Sequence, residues 1–141
     1  MQRPSADTRG FTLVEMIVLI GIIGLIAAIA VPSFNGYLRA NRLATTADQM
    51  AADMALARAT AVAQGRIIRF DGDAAGYTIT DPGDGRVIRD REFGGTVALA
   101  ADASVNFFPW GAAEVAVLTL DDGNDTRQVQ VLPTGMVEVG P

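Results

Sequence analysis

The chain has 141 residues, half of them apolar, with 11 Arg and no Lys against 16 acidic side chains and a formal net charge of −5. That length accommodates one domain and an appendage, and the lack of Cys and His excludes thiol chemistry, disulfides, zinc sites built on either residue and any catalytic pair that runs through imidazole. The acidic balance also argues against a general nucleic-acid binder, which needs excess positive charge on one face.

The apolar residues are concentrated at the front. From Met16 to Phe34 no charged residue occurs, with IVLIGIIGLIAAIAVP at the centre. As a helix this run approaches the ~30 Å hydrocarbon thickness of a bilayer. The polar leader before it, MQRPSADTRG, sets Arg3 and Arg9 against Asp7, which predicts an N-terminus held in the cytoplasm and the rest of the chain sent outward.

A plain signal anchor explains the length and the flanks of the run. A secretory signal peptide also fits, because Ala28-Ile29-Ala30 has the A-x-A form and cleavage there would release a soluble β-domain. Neither accounts for Glu15, a carboxylate inside the apolar stretch that starts at Phe11. Left unpaired in a bilayer it costs roughly 2 to 3 kcal/mol or more, so it needs a partner.

Arg9-Gly10-Phe11-Thr12-Leu13-Val14-Glu15, followed by the apolar helix and Pro32-Ser33-Phe34, resembles the class III signal and helix start of type IV pilins and type II secretion pseudopilins. The resemblance implies cleavage by a prepilin peptidase between Gly10 and Phe11, retention of the anchor, and N-methylation of Phe11. It also implies that Glu15 pairs with the Phe11 amine of a neighbouring subunit as helices bundle into a filament. A local pair is equally available, since the new amine lies four residues before Glu15, one helical turn away. Gly21, Gly24 and Ala28 fall on one small-residue face that lets helices approach closely.

Pro32 removes one backbone donor and predicts a kink rather than an end, because residues 34 to 64 are rich in Ala and other helix formers and contain no further Pro. Leu43, Ala47, Met50, Met54, Ala57 and Ala61 recur at alternating spacings of four and three, which predicts an apolar stripe packed on the following domain. Arg39, Arg42, Thr46, Gln49 and Asp53 occupy another side. Gly65 stands where a helix C-cap is expected.

From Arg66 the texture changes to short β-type runs: 66–70, 77–80, 86–91, 96–100, 104–108, 114–120, 127–132 and 136–139. Asp81-Pro82-Gly83-Asp84-Gly85, Asp121-Asp122-Gly123-Asn124-Asp125 and Pro133-Thr134-Gly135 supply turn chemistry between them. Such tight spacings predict antiparallel pairing. Val129 and Val131 alternate with Gln128 and Gln130, the pattern of a strand with one buried face. Val115 to Leu120 is apolar on both faces and reads as a central strand. The expected fold is α+β, pilin-like, with a long N-terminal helix packed on a C-terminal antiparallel sheet or sandwich. Its parts are a leader (1–10), a transmembrane helix segment (11–34), an amphipathic continuation (35–65) and a periplasmic β domain (66–141).

Leu56-Ala57-Arg58-Ala59-Thr60-Ala61-Val62-Ala63-Gln64-Gly65 before the first strand, Phe107-Phe108-Pro109-Trp110-Gly111, and the stretch from Arg127 through Val131 to Gly135 resemble the GspH/FimT group of minor pseudopilins and minor pilins. The resemblance implies a structural subunit of a type II secretion pseudopilus, held in the inner membrane by a single pass. Its partners would be other pseudopilins or pilins through the N-terminal helix, the prepilin peptidase and membrane lipid. A minor type IV pilin for pilus assembly or DNA uptake is the alternative within the family.

Little else carries chemistry. Asp121, Asp122, Asn124 and Asp125 offer oxygen ligands but lack the EF-hand spacing and closing Glu, so they read as a solvated turn, as do Asp71 and Asp73 before Gly76. Trp110 reads as a core anchor rather than an exposed contact. No nucleophile with a base and no phosphate-binding loop is visible, so the chain reads as a substrate of an enzyme with no cofactor. From Arg66 onward six Arg face twelve acidic residues. The local run of Arg86, Arg89 and Arg91 has Asp90 and Glu92 interleaved, and no nucleic-acid partner is expected.

Overall fold

The computed structural model describes residues 11–140, the side chains at 32 and 33 apart. The chain separates into two units, Met1–Tyr37 and Leu38–Pro141. One helix, α1 (Leu13–Gln64), contributes residues to both and runs on through position 32. Its end is set by Gly65, whose φ of 64° is a left-handed conformation that only glycine adopts without strain. There the Arg66 N–H donates to the Ala61 carbonyl at 3.2 Å, the long bond of a Schellman cap.

Eight strands follow: β1 (Ile68–Gly72), β2 (Gly76–Asp81), β3 (Arg86–Glu92), β4 (Ala98–Leu99), β5 (Ala103–Phe107), β6 (Ala116–Asp121), β7 (Thr126–Val131) and β8 (Val137–Gly140). Each of the eight expected runs holds one of them, with ends shifted by one or two residues. The run at 96–100 shrinks to two paired residues. All pairings are antiparallel, in two four-stranded sheets ordered β3-β2-β1-β5 and β4-β6-β7-β8.

The predicted stripe of α1 is the centre of the core. Leu43, Ala47, Met50, Met54, Ala57 and Ala61 are all buried, against Ile68, Phe70, Ile79, Val105 and Phe107 of one sheet and Leu99, Leu118, Leu120, Val129 and Val131 of the other. Three of the six stripe residues are alanines, so two sheets can close on one helix without a gap. β6 departs from expectation. It does lie between two strands, but β4 pairs in register only with Leu120 and Asp121, and the outer face of the sheet is open. Val117 on it is 59% exposed and the preceding Val115 67%. Apolar residues on both faces therefore do not mean burial on both.

Asp53 also departs from its expected place on the polar side of α1. It is buried at the border of the stripe, where three groups from β2 and β3 converge on it. The Tyr77 hydroxyl donates to Asp53 Oδ2 at 2.9 Å, Arg91 Nε donates to the same oxygen at 2.7 Å, and Arg89 Nε lies 3.5 Å from Oδ1. Burial alone pushes the carboxyl pKa up. The hydrogen bonds from Arg91 and Tyr77, with the charges of Arg91 and Arg89, outweigh it and leave the pKa below the ordinary 3.8. The Tyr77 phenol is raised, first by burial and then by its bond to Asp53.

A carboxyl whose pKa is lowered on folding contributes stability above its unfolded value and loses it as pH falls through the folded one. Asp53→Asn keeps an acceptor for Tyr77 but removes the charge, so it should destabilise the 38–141 unit by about 1 to 2 kcal/mol near neutral pH. The gap to wild type should close on acidification below the ordinary carboxylate range. Urea unfolding at about pH 7 and about pH 2.5 tests this, and a gap that does not change with pH would mean that charge is not what Asp53 contributes.

Candidate functional site

The start of α1 is a reciprocal cap. The Thr12 N–H donates to Glu15 Oε2 at 3.0 Å, the Thr12 hydroxyl donates to the same oxygen at 3.1 Å, and the Glu15 N–H donates to Thr12 Oγ1 at 3.2 Å. This is the T-x-x-E capping box, which satisfies two of the amides that a helix N-terminus leaves without partners. It also sets the carboxylate at the positive end of the helix dipole. Consideration of the Phe11 amine alone missed Thr12, although the four-residue signature was legible in the sequence. Among the described residues the bonds to the Glu15 carboxylate go to Oε2, and none goes to Oε1. Phe11 is 77% exposed just before the helix, and Gly10 lies outside the described residues.

Beyond the cap, every large apolar side chain from Leu13 to Val31 is exposed. A Cβ added at Gly21 or Gly24 would meet nothing within 4 Å. Helix α1 is long and apolar enough to cross a membrane, and a bare apolar surface of this extent is stable only against lipid or other helices. The residues that the leader resemblance singles out follow one another along this segment: Phe11 just before α1, Glu15 in its first turn, the small-residue positions behind it, and Pro32 within it.

The head holds the remaining candidates apart from one another. Trp110 is not in the core. It is 74% exposed and stacks on Phe108 with ring centroids 4.9 Å apart and planes 4° from parallel. The Phe-Pro-Trp-Gly turn carries it outward, and the turn itself is tied down by Arg58 of α1, whose Nε donates to the Gly111 carbonyl at 2.8 Å. Gly135 packs against the same pair, where any side chain would collide with Gly111 O and Arg58 Nε. Arg58 thus fastens the β5–β6 connection to the helix and packs against Gly135 of the β7–β8 turn, a role with no signature in sequence.

The carboxylates of the acidic loops cap their own turns. Asp122 Oδ1 accepts from the Asn124 and Asp125 amides, Asp121 Oδ1 from Gly123, and Asp73 Oδ1 from Ala75 and Gly76. The backbone donors at Asp125 and Asn124 hold the Asp122 carboxyl below its ordinary pKa. Among the described residues no group of three or more acidic side chains is arranged to hold a metal ion. Arg86, Arg89 and Arg91 do come together on one face of β3. Arg89 and Arg91 share Asp53, while Arg86 Nη2 donates to Gln64 Oε1 at 3.1 Å.

Comparison with known proteins gives this geometry a family. The chain is 55% identical over 31 residues to prepilin peptidase-dependent protein D of Escherichia coli, which covers 22% of this chain and 21% of that protein. It is 39% identical over 44 residues to the type IV major alpha-pilin of Moraxella bovis, 31% of this chain and 28% of that one. The match thus spans less than a third of the length of either relative. The crystal structure of the type IV minor pilin FimU of Pseudomonas aeruginosa is similar in fold, with a TM-score of 0.61 over 74% of this chain and 92% of that one at 18% identity. The family model of the type II transport protein GspH matches residues 46–135, which include most of the buried stripe of α1 and all but the last strand, and the chain belongs to the GspH family of pilin-like proteins.

Proposed function

We propose that the chain is a minor pseudopilin, a non-enzymatic subunit of a type II secretion pseudopilus that supports protein export. The observation that carries this reading is the GspH match over residues 46–135, joined to an uncovered apolar helix tipped by a capped carboxylate. In this reading the prepilin peptidase cuts between Gly10 and Phe11 and Phe11 is N-methylated. The anchor stays in the inner membrane with the head in the periplasm, and Pro32 loosens α1 so that the anchor can adjust to its neighbours. Glu15 Oε1 takes the Phe11 amine of an adjacent subunit, while Oε2 keeps the contact with Thr12. A minor type IV pilin is the second reading, supported by the likeness in fold to FimU.

Gly10 presents no side chain to the peptidase, so Gly10→Val should leave an uncut precursor, whereas the wild type should yield a chain that starts at N-methylated Phe11. Intact mass reads both. A mature N-terminus at Val31 would establish the signal-peptide reading and remove the filament.

Glu15→Ala removes the group that is costly in lipid, so membrane insertion should persist or improve. Incorporation beside neighbours should fall about tenfold or more, the factor that a pair worth ~1.4 kcal/mol carries. Site-specific crosslinking along α1 measures it, and undiminished crosslinks would dismiss the intermolecular pair.

Asp53 offsets part of the charge of Arg89 and Arg91, and Asp90 and Glu92 line the opposite face of the same strand, so phosphate neutralisation has little to build on. The full chain in detergent should bind duplex DNA no more tightly than ~10⁻⁴ M at physiological salt. Micromolar binding that falls steeply with salt and is lost with Arg89→Glu would favour the DNA-uptake pilin instead.

A further inference from the structure

Strand β3 lies at the end of its sheet and among the described residues pairs only with β2, which leaves its second edge open there. Its side chains are sorted by a bulge. The register slips between Ile79 and Thr80, so that Arg91 lies opposite Tyr77, Arg89 opposite Ile79 and Arg86 opposite Asp81. Opposed residues of an antiparallel pair share a face, and Tyr77, Ile79 and Asp81 are all buried toward the helix. In an unbroken strand Arg86 and Arg89, three apart, would point to opposite sides. The bulge brings all three arginines to the helix side, where Asp53 and Gln64 of α1 each take part of the row. Val87, Asp90 and Glu92 face the other way, opposite Thr80, Thr78 and Gly76, and Val87 is 56% exposed.

We propose that this edge is a docking strand for an extended segment of a different protein, one that carries carboxylates on one face and basic or apolar side chains on the other. Three guanidinium groups set against two carboxylates, Asp53 and Asp81, the second of which is already bonded by Arg66, leave positive charge in excess on the helix side. Two carboxylates and a bare valine await complements on the other. A strand added to β3 would gain main-chain hydrogen bonds along the open edge and salt bridges on both faces at once. A second copy of β3 is a poor occupant, because antiparallel pairing in a continuous sheet sets arginine face against arginine face and carboxylate face against carboxylate face. Duplex DNA is a poor one as well, since Asp90 and Glu92 would meet phosphate. The inference names a partner surface for the head and depends on neither leader cleavage nor Glu15.

The test uses the full chain in detergent micelles and a fluorescent peptide, Lys-Glu-Val-Glu-Lys-Glu-Val, whose glutamates share one face as a strand. The control has the same composition with Glu and Lys mixed on both faces. Anisotropy titration should give salt-dependent binding of the first peptide, at least about tenfold tighter than the control. Arg86→Glu should weaken it by a similar factor, as should N-methylation of the peptide backbone on the edge-facing amides. Arg86 bonds Gln64 through Nη2 and Asp84 through its backbone amide, and it lies opposite Asp81, so Arg86→Gln, which adds no carboxylate there, should weaken binding in the same direction while its thermal unfolding stays close to wild type, and loss of binding is then not loss of fold. Equal affinity for both peptides, or indifference to backbone methylation, would overturn the proposal and leave the charges as edge protection. Tighter binding of a DNA duplex, or self-association in ultracentrifugation that Arg86→Glu abolishes, would overturn it in favour of those occupants. None of these readouts requires filament assembly, so failure here is separate from failure of the pseudopilin reading.

Discussion

The head is organised by the contact between one narrow stripe of α1 and two sheets. Ala47, Ala57 and Ala61 let backbone approach backbone, while Met50 and Met54 fill the space between the sheets with unbranched side chains that adapt to uneven walls. Neither sheet is closed, and each needs its inner face covered. A single helix supplies both covers. The strands can therefore remain short, and their connections can be turns of a few residues that carry their own caps.

The same helix is asked to do something different along its first half. Residues buried in the head follow a strict spacing, whereas from Leu13 to Val31 apolar side chains surround the helix on every side. Helices of the first kind face one core, and helices of the second kind face lipid or a ring of neighbours. Polar chemistry in this segment is confined to its tip, where Thr12 and Glu15 satisfy each other. A carboxylate that already holds a local bond costs less to insert than a bare one.

Charge within the head is placed by the same economy. Asp53 joins α1 to β2 and β3 and collects two of the arginines that would otherwise repel each other along the edge strand. Arg66 does the corresponding work at the far end of β2, reaching both Asp81 and Asp84 at 3.1 Å. Arg58 ties down the Gly111 turn through a backbone carbonyl rather than a carboxylate. These arginines thus hold elements together, while β3 carries three of the arginines close to one another along one edge strand.

The sequence by itself determined the elements and their order. The stripe spacing in α1, its glycine stop, the eight β-type runs and the turns between them are local patterns, fixed by period and backbone preference within a few residues. The start of the helix was legible as well, because the capping box of Thr12 and Glu15 is contiguous in the chain. Tertiary structure decided whatever depends on residues distant in sequence. Asp53 became an ion-pair centre because β3 folds back beside it, and Trp110 went outward because Arg58, more than fifty residues earlier, clamps its turn. Val117 stayed exposed because no layer covers that face of β6. Arg86, Arg89 and Arg91 aligned because one extra residue in β3 breaks the alternation. A period can be read from a single strand, whereas a bulge exists only in the pairing of two.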